Sequence, residues 1–249
     1  MKQNYLNKDV LNRLILICLL AFLSISCKEE KTIMTENNQP RKHVLLLGAS
    51  VGEAWDLPNL PVRANNSSYK FEFIAKYEPD KSDILNQAIQ RTENKPDVVI
   101  IKQCAAYIRT DVDTYDPKHV EEYKQLARKW VGQLNEKKIV PIIATIVPIS
   151  EEIPTWSKFK WLVKKYIFMK KIPPFYPNIK LKGISDYNNW VKAYSEKNGL
   201  TFLDLEAPLH ISDTNRFLKP ELTTDGLHIN KKAYQKLDKI IFPTLSKAL

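Results

Sequence analysis

Short apolar runs alternate with amphipathic segments along most of this chain. Five of the runs are rich in aliphatic and aromatic residues and predict β-strands, at 43–47, 71–77, 97–101, 139–147 and 200–205. The third run is apolar without interruption after its first residue, as expected of a parallel strand that is buried on both faces. Strands that alternate with helices favour a mainly parallel sheet covered on both sides. The sequence therefore predicts one domain, a three-layer α/β/α sandwich around a five-stranded sheet.

Helix boundaries are predicted at several points between these strands. A helix should open after Pro79-Asp80, and Asp116-Pro117 has the form of an N-cap residue followed by proline at the first helical position. Ser185 is predicted to cap a helix that stops at Asn198-Gly199. Asn230 is predicted to cap the last helix of the chain.

Residues 1–27 have the character of a targeting segment and are set aside from the fold. Basic residues precede an apolar run from Leu14 to Ile25, which is short for a spanning helix of roughly 20 apolar residues. The run leads into Ser24-Ile25-Ser26-Cys27, which resembles a bacterial lipoprotein signal with cleavage before Cys27 and a diacylglycerol on its sulfur. This predicts a lipoprotein of the cell envelope, on the periplasmic or the cell-surface side. An ordinary signal peptide and an uncleaved anchor are the alternatives.

The segment that follows predicts a link between this anchor and a folded domain. Residues 28–41 are polar and lack periodicity, which indicates a flexible tether, and residues 42–249 have a normal length for one domain. The formal net charge of +10 favours anionic partners such as lipid headgroups or acidic glycans. It does not by itself indicate nucleic acid, and a solvated basic face is the usual explanation of such an excess.

An insertion at about 151–183 interrupts the alternation of strands and helices. Between Trp156 and Lys182 the chain has eight lysines, seven aromatic residues and no acidic residue. Aromatic residues recur at helical spacing in the first half, whereas Pro173-Pro174 and Pro177 predict an extended exit. Such a segment could lie on a membrane surface, cover the site as a lid or contact an acidic polymer. A helix that packs its aromatic residues on the domain is the structural alternative.

Cysteine usage leaves the fold without disulfide support. Cys18 lies in the targeting segment and Cys27 is predicted to be lipidated, so Cys104 is a lone thiol that cannot form an intramolecular disulfide. Cys104 follows the third strand and is an alternative nucleophile, although we interpret it as a buried inert thiol. No group of cysteine and histidine residues has metal-ligand spacing, and the sequence implies no metal or organic cofactor.

A serine follows the first predicted strand, within Gly48-Ala49-Ser50-Val51-Gly52. At a strand-to-helix turn its hydroxyl would project from the carboxyl edge of the sheet, and its own N–H would lie where it can stabilise an oxyanion. The pentapeptide alone is weak, because serine beside glycine is common in turns. It also fits the nucleophile turn of α/β-hydrolases. In that fold, however, the serine normally follows several strands and its acid and histidine are far apart in sequence.

Asp225 and His228 stand immediately before the last predicted helix. The carboxylate can accept a hydrogen bond from Nδ1–H of the imidazole, which fixes the tautomer and leaves Nε2 free to take the proton of Ser50. Each residue has a structural explanation by itself, as a helix-cap residue and as a surface histidine. Together with a serine after the first strand, they predict a Ser–His–Asp catalytic set.

With these motifs the chain resembles the SGNH (GDSL-like) hydrolases, from about His43 to Leu249. Gly48-Ala49-Ser50 matches the Gly-Asp-Ser block of that family with alanine in place of aspartate, and Asp225-Gly226-Leu227-His228 matches its last block. The resemblance implies an SGNH/flavodoxin-like sheet and a serine esterase activity at Ser50, Asp225 and His228. Asp204, after the fifth strand, is in a place typical of the family, and we interpret it as structural.

The middle blocks depart from the family pattern. The family has a glycine after the second strand and an asparagine after the third, which donate to the oxyanion together with the serine N–H. This chain has no glycine at the first place, and Ala106 stands at the second. Gln103 or Lys102 could supply the missing donor, or a backbone N–H near Lys81 or Ala105 could suffice. Low or absent activity is the third outcome, because losing one such donor costs about 10²–10³ in rate.

The predicted reaction is ester hydrolysis. His228 deprotonates Ser50, which attacks an ester carbonyl to give an acyl-enzyme that water then hydrolyses. Acylated carbohydrates or lipids are the expected substrates, and the membrane is the expected partner, through the lipid anchor and the 156–182 segment; nucleic acid is not. A binding lipoprotein that has lost an efficient oxyanion hole and an O-acyltransferase that uses the same serine are the alternatives.

Overall fold

The structure is a computed structural model, and it describes residues 41–108, 114–166 and 176–249. The predicted signal peptide, Cys27 and the tether up to residue 40 lie outside the described residues, as does Pro173-Pro174. The processing and lipidation of the N-terminal segment therefore stay predictions.

Aliphatic and aromatic runs form the strands β1 (Lys42–Gly48), β2 (Tyr69–Ala75), β3 (Val98–Lys102), β4 (Val140–Ala144) and β5 (Phe202–Leu203). In the described part of the chain they make one sheet with the order β2-β1-β3-β4-β5, and every pairing is parallel. The predicted five-stranded parallel sheet is thus confirmed. Because the chain leaves β1 and β3 towards opposite sides of the sheet, a crevice forms between their carboxyl ends, where sheets of this order bind ligands.

Helices cover the sheet. Within the described ranges they are α1 (Ser50–Glu53), α2 (Leu60–Arg63), α3 (Ser82–Ile89), α4 (Lys118–Glu136), α5 (Thr155–Tyr166), α6 (Pro177–Lys197) and α7 (Lys231–Ala248). The predicted cap at Asn230 is confirmed, since its Oδ1 accepts the N–H of Lys232 at 3.0 Å. Asp116 Oδ1 accepts the N–H of Lys118 at 2.9 Å, but α4 begins at Lys118, so Pro117 precedes the helix and is not its first residue as predicted. None of the described helices is long and apolar enough to cross a membrane.

One face of the sheet packs against α1, α2 and α7, the helices nearest the beginning and the end of the domain sequence. Leu46 of β1 and Ile100 of β3 share a core with Val51 of α1, Leu60 of α2 and Leu237 of α7. All five of these side chains are buried. This core joins the first helix after β1 to the last helix of the chain.

The opposite face packs against the crossover helices. Leu47 and Ile101, which alternate with the residues of the first core, lie against Leu85 of α3, Trp130 of α4 and Tyr187 of α6. Side chains of successive strand residues point to opposite faces, so each strand contributes to both cores. The predicted three-layer α/β/α sandwich is therefore confirmed.

The start of helix α6 was predicted wrongly. It begins at Pro177 rather than after Ser185, which lies inside it, and Pro177 does not lead into an extended exit. Proline is tolerated in the first turn of a helix because no intrahelical hydrogen bond needs its missing N–H there. Residues 177–183 of the predicted insertion consequently belong to a helix whose Ile184 is buried in the core.

The fourth and fifth strands are shorter than predicted, because side chains replace the backbone ladder beyond Ala144. Thr145 Oγ1 accepts the N–H of Leu205 at 2.8 Å. Asn188 of α6, fully buried, accepts the N–H of Ile146 at 2.7 Å and donates to the carbonyl of the same residue at 2.9 Å. These bonds satisfy buried backbone groups that have left the sheet.

Candidate active site

Ser50 is the first residue of α1, at the carboxyl end of β1. Ala49 is extended, with φ −137° and ψ −155°, and its carbonyl accepts the N–H of Gly52 at 2.8 Å. A Cβ at Gly52 would lie 2.7 Å from Cε2 of Phe73 on β2, so α1 packs on the sheet more closely than any side chain would allow. The turn places the half-buried Ser50 at the crevice between β1 and β3.

The loop before α7 holds Asp225 and His228 in a tight turn. Asp225 Oδ1 accepts the N–H of Leu227 at 3.0 Å and the N–H of His228 at 2.7 Å. Gly226 has φ +93°, a conformation that residues with side chains rarely adopt, and its N–H donates to Thr223 Oγ1 at 2.8 Å. Hydrogen bonds from the backbone thereby hold the Asp225 carboxylate in place independently of its contact with the imidazole.

The structure brings the three predicted side chains together. His228 Nε2 lies 3.2 Å from Ser50 Oγ, although 178 positions separate the two residues in the sequence. His228 Nδ1 lies 2.8 Å from Asp225 Oδ2. With a proton on Nδ1, Nε2 faces the serine hydroxyl as an acceptor, which is the geometry needed for general-base activation of a nucleophile.

Electrostatics in this set favour a charged carboxylate beside the histidine. Burial alone would raise the pKa of Asp225, but hydrogen bonds from the ring and backbone of His228 and from the Leu227 N–H outweigh it and lower the pKa to about 2. The hydrogen bond to Asp225 raises the pKa of His228 above its ordinary value, against the opposing effects of burial and of the positive charge of Lys102. Asp225 is thus suited to stabilise an imidazolium that forms transiently on His228.

The predicted side-chain donor Gln103 is held by bonds inside the protein. Its side chain is fully buried; Nε2 donates to the carbonyl of Pro79 at 3.2 Å, and Oε1 accepts from Lys81 Nζ at 3.1 Å. Lys81 also donates to the carbonyl of Glu78 at 2.8 Å. Burial, followed by the nearby charge of Lys102, lowers the pKa of Lys81 to about 8. These contacts tie the segments after β2 and β3 to each other.

The remaining predicted positions after β3 differ in their surroundings. Ala105 is buried and its carbonyl accepts from Lys180 Nζ at 3.0 Å, whereas Ala106 is exposed and has no donor in its side chain. Cys104 is a free, buried thiol. In the described ranges, no cluster of histidine, cysteine, aspartate and glutamate could hold a metal ion.

Residues 150–154 form a wall beside the Asp225 loop that we did not predict from the sequence. The N–H of Ser150 donates to the carbonyl of Gly226 at 2.9 Å, and a Cβ at Gly226 would lie 3.6 Å from the carbonyl oxygen of Glu152. A cavity of about 330 Å³ borders this wall, lined among others by Ile153, Leu218 and Thr223. The lining includes the polar side chains of Ser150, Glu152 and Thr223, but these residues form no motif in the sequence that would have indicated a site.

Helix α5 begins directly after this wall and presents two aromatic rings to solvent. Trp156 is 64% exposed and Phe159 is 54% exposed. Their ring centroids lie 5.6 Å apart with an interplanar angle of 20°, so the rings are stacked. Both rings are thus partly exposed, and the alternatives of a membrane surface, a lid, a polymer contact and packing on the domain stay open.

Comparison with solved structures identifies the fold. It is that of the GDSL-like (SGNH) hydrolases, as the sequence motifs implied. A GDSL-like lipase from Bacteroides thetaiotaomicron is similar, with 19% sequence identity, a TM-score of 0.58, and coverage of 84% of this chain and 89% of that one. A catalytic mutant of an acetylxylan esterase from Geobacillus stearothermophilus is similar over 82% of this chain and 94% of its own, with 14% identity and a TM-score of 0.53. By sequence, the chain matches no family model and no curated protein.

Proposed function

We propose that this protein is a serine ester hydrolase with Ser50 as the nucleophile, His228 as the general base and Asp225 as the residue that orients the base. The distance of 3.2 Å between Ser50 Oγ and His228 Nε2 is the main support, because it joins two segments from opposite ends of the domain at one sheet edge. Esterase and lipase activities among proteins of similar fold are consistent with this role.

The reaction proceeds through an acyl-enzyme. His228 Nε2 takes the proton of Ser50 as the oxygen attacks the ester carbonyl, and it returns that proton to the departing alcohol. Water then attacks the acyl group with the same histidine as base. Nearly half of the His228 side chain is exposed, at 48%, so water can reach the base directly.

Labelling with a fluorophosphonate tests the assignment of Ser50. We expect covalent modification of Ser50 and hydrolysis of 4-nitrophenyl acetate by the wild-type protein, and loss of both in Ser50→Ala. Ser68→Ala is the matched control, since Ser68 is an exposed serine in the turn before β2 and should leave both signals intact. Modification of a residue other than Ser50, or an unchanged rate in Ser50→Ala, would exclude this mechanism.

For the substrate we propose an acylated glycan. The stacked pair of Trp156 and Phe159 offers a flat apolar surface beside the site, and exposed apolar patches of this kind commonly bind ligands. The adjoining cavity combines the apolar Ile153 with the polar side chains of Ser150 and Thr223, as a sugar ring requires. An acetylxylan esterase of the same fold acts on such a substrate class.

A comparison of large and small substrates tests this proposal. Trp156→Ala should raise KM for an acetylated xylooligosaccharide several-fold and leave hydrolysis of 4-nitrophenyl acetate unchanged, because the small ester does not extend to helix α5. An acyl lipid in detergent micelles is the competing substrate. A clear preference of the wild-type protein for the lipid would assign the aromatic pair to a membrane surface instead.

We further propose that Cys27 carries a lipid that anchors the domain in the cell envelope, with residues 28–41 as the tether. The order of basic residues, apolar run and cysteine supports this processing. An anchor keeps the site close to the envelope polymers or lipids that would serve as its substrates.

A non-catalytic binding protein of the same fold is the second candidate function. It is favoured by the absence of a donor side chain at Ala106 and by the hydrogen bonds that already engage Gln103. Absence of Ser50 labelling and of turnover across a panel of esters would support it.

A further inference from the structure

Lys102 is a buried lysine at the end of an otherwise apolar strand. It is the last residue of β3, all five residues of that strand are buried, and Lys102 itself is 1% exposed. Alternation along the strand directs Val98, Ile100 and Lys102 to the same face. Val98 and Ile100 lie in the core that includes Val51 of α1 and helix α7, so the Lys102 side chain extends along the face on which Ser50 lies.

The strand residues on either side of Lys102 are small, and the ring of Phe73 and Gly52 lie above Gly48. Lys102 pairs with Ala144 of β4, and continuation of the β1–β3 register places it beside Gly48 of β1. Both neighbours are small, and Gly48 precedes Ser50 by two residues. Lys102 therefore lies at the carboxyl end of β3, beside the carboxyl end of β1, and sheets of this order bind their ligands between these two strand ends.

The ammonium group of Lys102 is left with unused donors. Nζ donates to the carbonyl of Gln103 at 3.3 Å, whereas an ammonium group has three N–H donors. No ion pair formed by the described residues includes Lys102. Burial lowers the pKa of Lys102, against the opposing effect of Cys104, so an anion that forms beside the amine would favour its charged form.

Two other buried lysines, Lys81 and Lys180, have their donors engaged by hydrogen bonds inside the protein, as expected of a structural role. Lys81 donates to the carbonyls of Glu78 and Pro79 and to Gln103 Oε1. Lys180 of α6 donates to two carbonyls, at 3.0 Å and 2.8 Å. The donors of both groups are engaged by the loops that they hold, in contrast with those of Lys102.

We propose that Lys102 is a further catalytic residue, whose ammonium group donates a hydrogen bond to the oxyanion formed when Ser50 attacks an ester carbonyl. This inference rests on the proposed hydrolase function. As the bond from Ser50 Oγ to the carbonyl carbon forms, the carbonyl π pair moves onto its oxygen and the Ser50 proton moves to His228 Nε2. Collapse returns the pair to the carbonyl and expels the alcohol with the proton from His228. Lys102 keeps its three protons throughout.

A cation is well suited to this task in a chain without a neutral side-chain donor at Ala106. Hydrogen bonds from a charged donor are roughly twice as strong as neutral ones, and burial strengthens them further. The positive charge of Lys102 also acts on the general base, since it lowers the pKa of His228 against the raising effect of Asp225. Lys102 thus affects both the base and the oxyanion.

Kinetics of Lys102→Met on 4-nitrophenyl acetate test the proposal, with Lys42→Met as the matched control. Both substitutions remove one lysine charge, but Lys42 begins β1 at the opposite edge of the sheet and is half-exposed. We expect kcat of Lys102→Met to fall by about 10²–10³-fold at nearly constant KM, as on removal of an oxyanion donor elsewhere. Lys42→Met should match the wild-type protein.

The pH profile provides a readout that a structural role would not move. The charged groups around His228 are Asp225 in its own loop and Lys102 from β3; Lys81 and Cys104 lie near Lys102 in turn. Loss of the Lys102 charge removes a repulsion from the imidazolium, so the acid limb of kcat/KM should move to higher pH in Lys102→Met. The limb of Lys42→Met should not move.

The wild-type protein gives an independent test should Lys102→Met fail to fold. Phenylboronic acid forms a tetrahedral anion on an activated serine, and lysine labelled with ¹³C at Cε reports its own titration by NMR. We expect the Lys102 signal, assigned through Lys102→Arg, to titrate at higher pH in the boronate adduct than in the free protein.

The outcomes separate this inference from the proposed function. An active wild-type protein whose kcat and pH profile are unchanged in Lys102→Met, or whose Lys102 titration does not respond to the boronate, would overturn the role of Lys102 alone. A wild-type protein without Ser50 labelling or turnover would overturn the hydrolase and this inference together.

Discussion

The ring of Phe73 occupies the space that a side chain at Gly52 would need, with Cε2 2.7 Å from the position of a Cβ. This contact sets how closely α1 lies on β2, and Ser50 is the first residue of α1. The position of Ser50 therefore depends on a glycine two residues further along the chain.

Gly52→Ala should lower both stability and activity. Phe73 must shift to admit the methyl group, and overpacking of this kind costs about 1–3 kcal/mol in the free energy of unfolding. Displacement of α1 should also lower kcat on 4-nitrophenyl acetate. Gly132→Ala is the control, because Gly132 is exposed on α4 with nothing within 4 Å of a Cβ, and it should stabilise the protein by about 0.5–1 kcal/mol. Equal unfolding curves for the two variants would contradict the packing argument.

Asp225→Asn should abolish most activity with little change in fold. The amide oxygen can still accept the N–H groups of Leu227 and His228, but an NH₂ group would face His228 Nδ1 and favour the wrong tautomer. We expect kcat to fall by about 10⁴-fold, as the same change does in a serine protease triad. Unchanged kcat, with the circular dichroism of the wild-type protein, would exclude Asp225 as the orienting residue.

Activity should depend on pH through His228. The base must be neutral, and the hydrogen bond to Asp225 raises the pKa of His228 above the ordinary 6.5. Activity should therefore be lost as pH falls through a pKa above 6.5, and kcat/KM should level off on the alkaline side. In Asp225→Asn the residual activity should show its acid limb at lower pH. A limb that stays in place in this variant would indicate that another group controls the profile.

Asn188→Ala should destabilise the fold without direct effect on the chemistry. It removes both bonds to the backbone of Ile146, and each buried group left unsatisfied costs about 1–3 kcal/mol. We expect the free energy of unfolding in urea to fall by about 2 kcal/mol or more. The adjacent Asn189 is exposed and accepts from Arg216, so Asn189→Ala should cost much less. A similar loss in both variants would show that the buried bonds contribute little.

Lipidation of Cys27 is tested by growth of the producing bacterium with an alkyne-labelled fatty acid. The wild-type protein and Cys18→Ser should take up the label, because Cys18 lies in the predicted signal peptide. Cys27→Ser should not take it up and should leave the membrane fraction. Incorporation of label into Cys27→Ser would exclude this anchor.

The sequence predicted the sheet and the positions that form the candidate site, because both depend on local patterns. Ser50 follows an apolar run, and Asp225 and His228 share one short loop before a capped helix. We expected these three residues to meet because the carboxyl ends of parallel strands lie at the same edge of a sheet. The start of α6 at Pro177 was missed, since proline is compatible with a helix start as well as with an extended segment.

Buried polar contacts were the features that the sequence could not assign. Asn188 looked like an ordinary polar residue of a helix, and its partner Ile146 lies on a different element. Lys102 was one of two side chains that the sequence suggested as a donor to the oxyanion, but its burial without an ion pair emerges only from the packing of β1, β3 and β4 around it. Interactions between distant segments decide such roles.

Ser50 follows the first strand, whereas His228 precedes the final helix, and Asp238 of that helix accepts hydrogen bonds from both Trp55 and Arg63. During synthesis, Ser50 would thus lack its proposed base until the segment from His228 to the end of α7 has folded against the domain. Catalytic activity would therefore require the complete domain, and a chain that ends before α7 would be inactive.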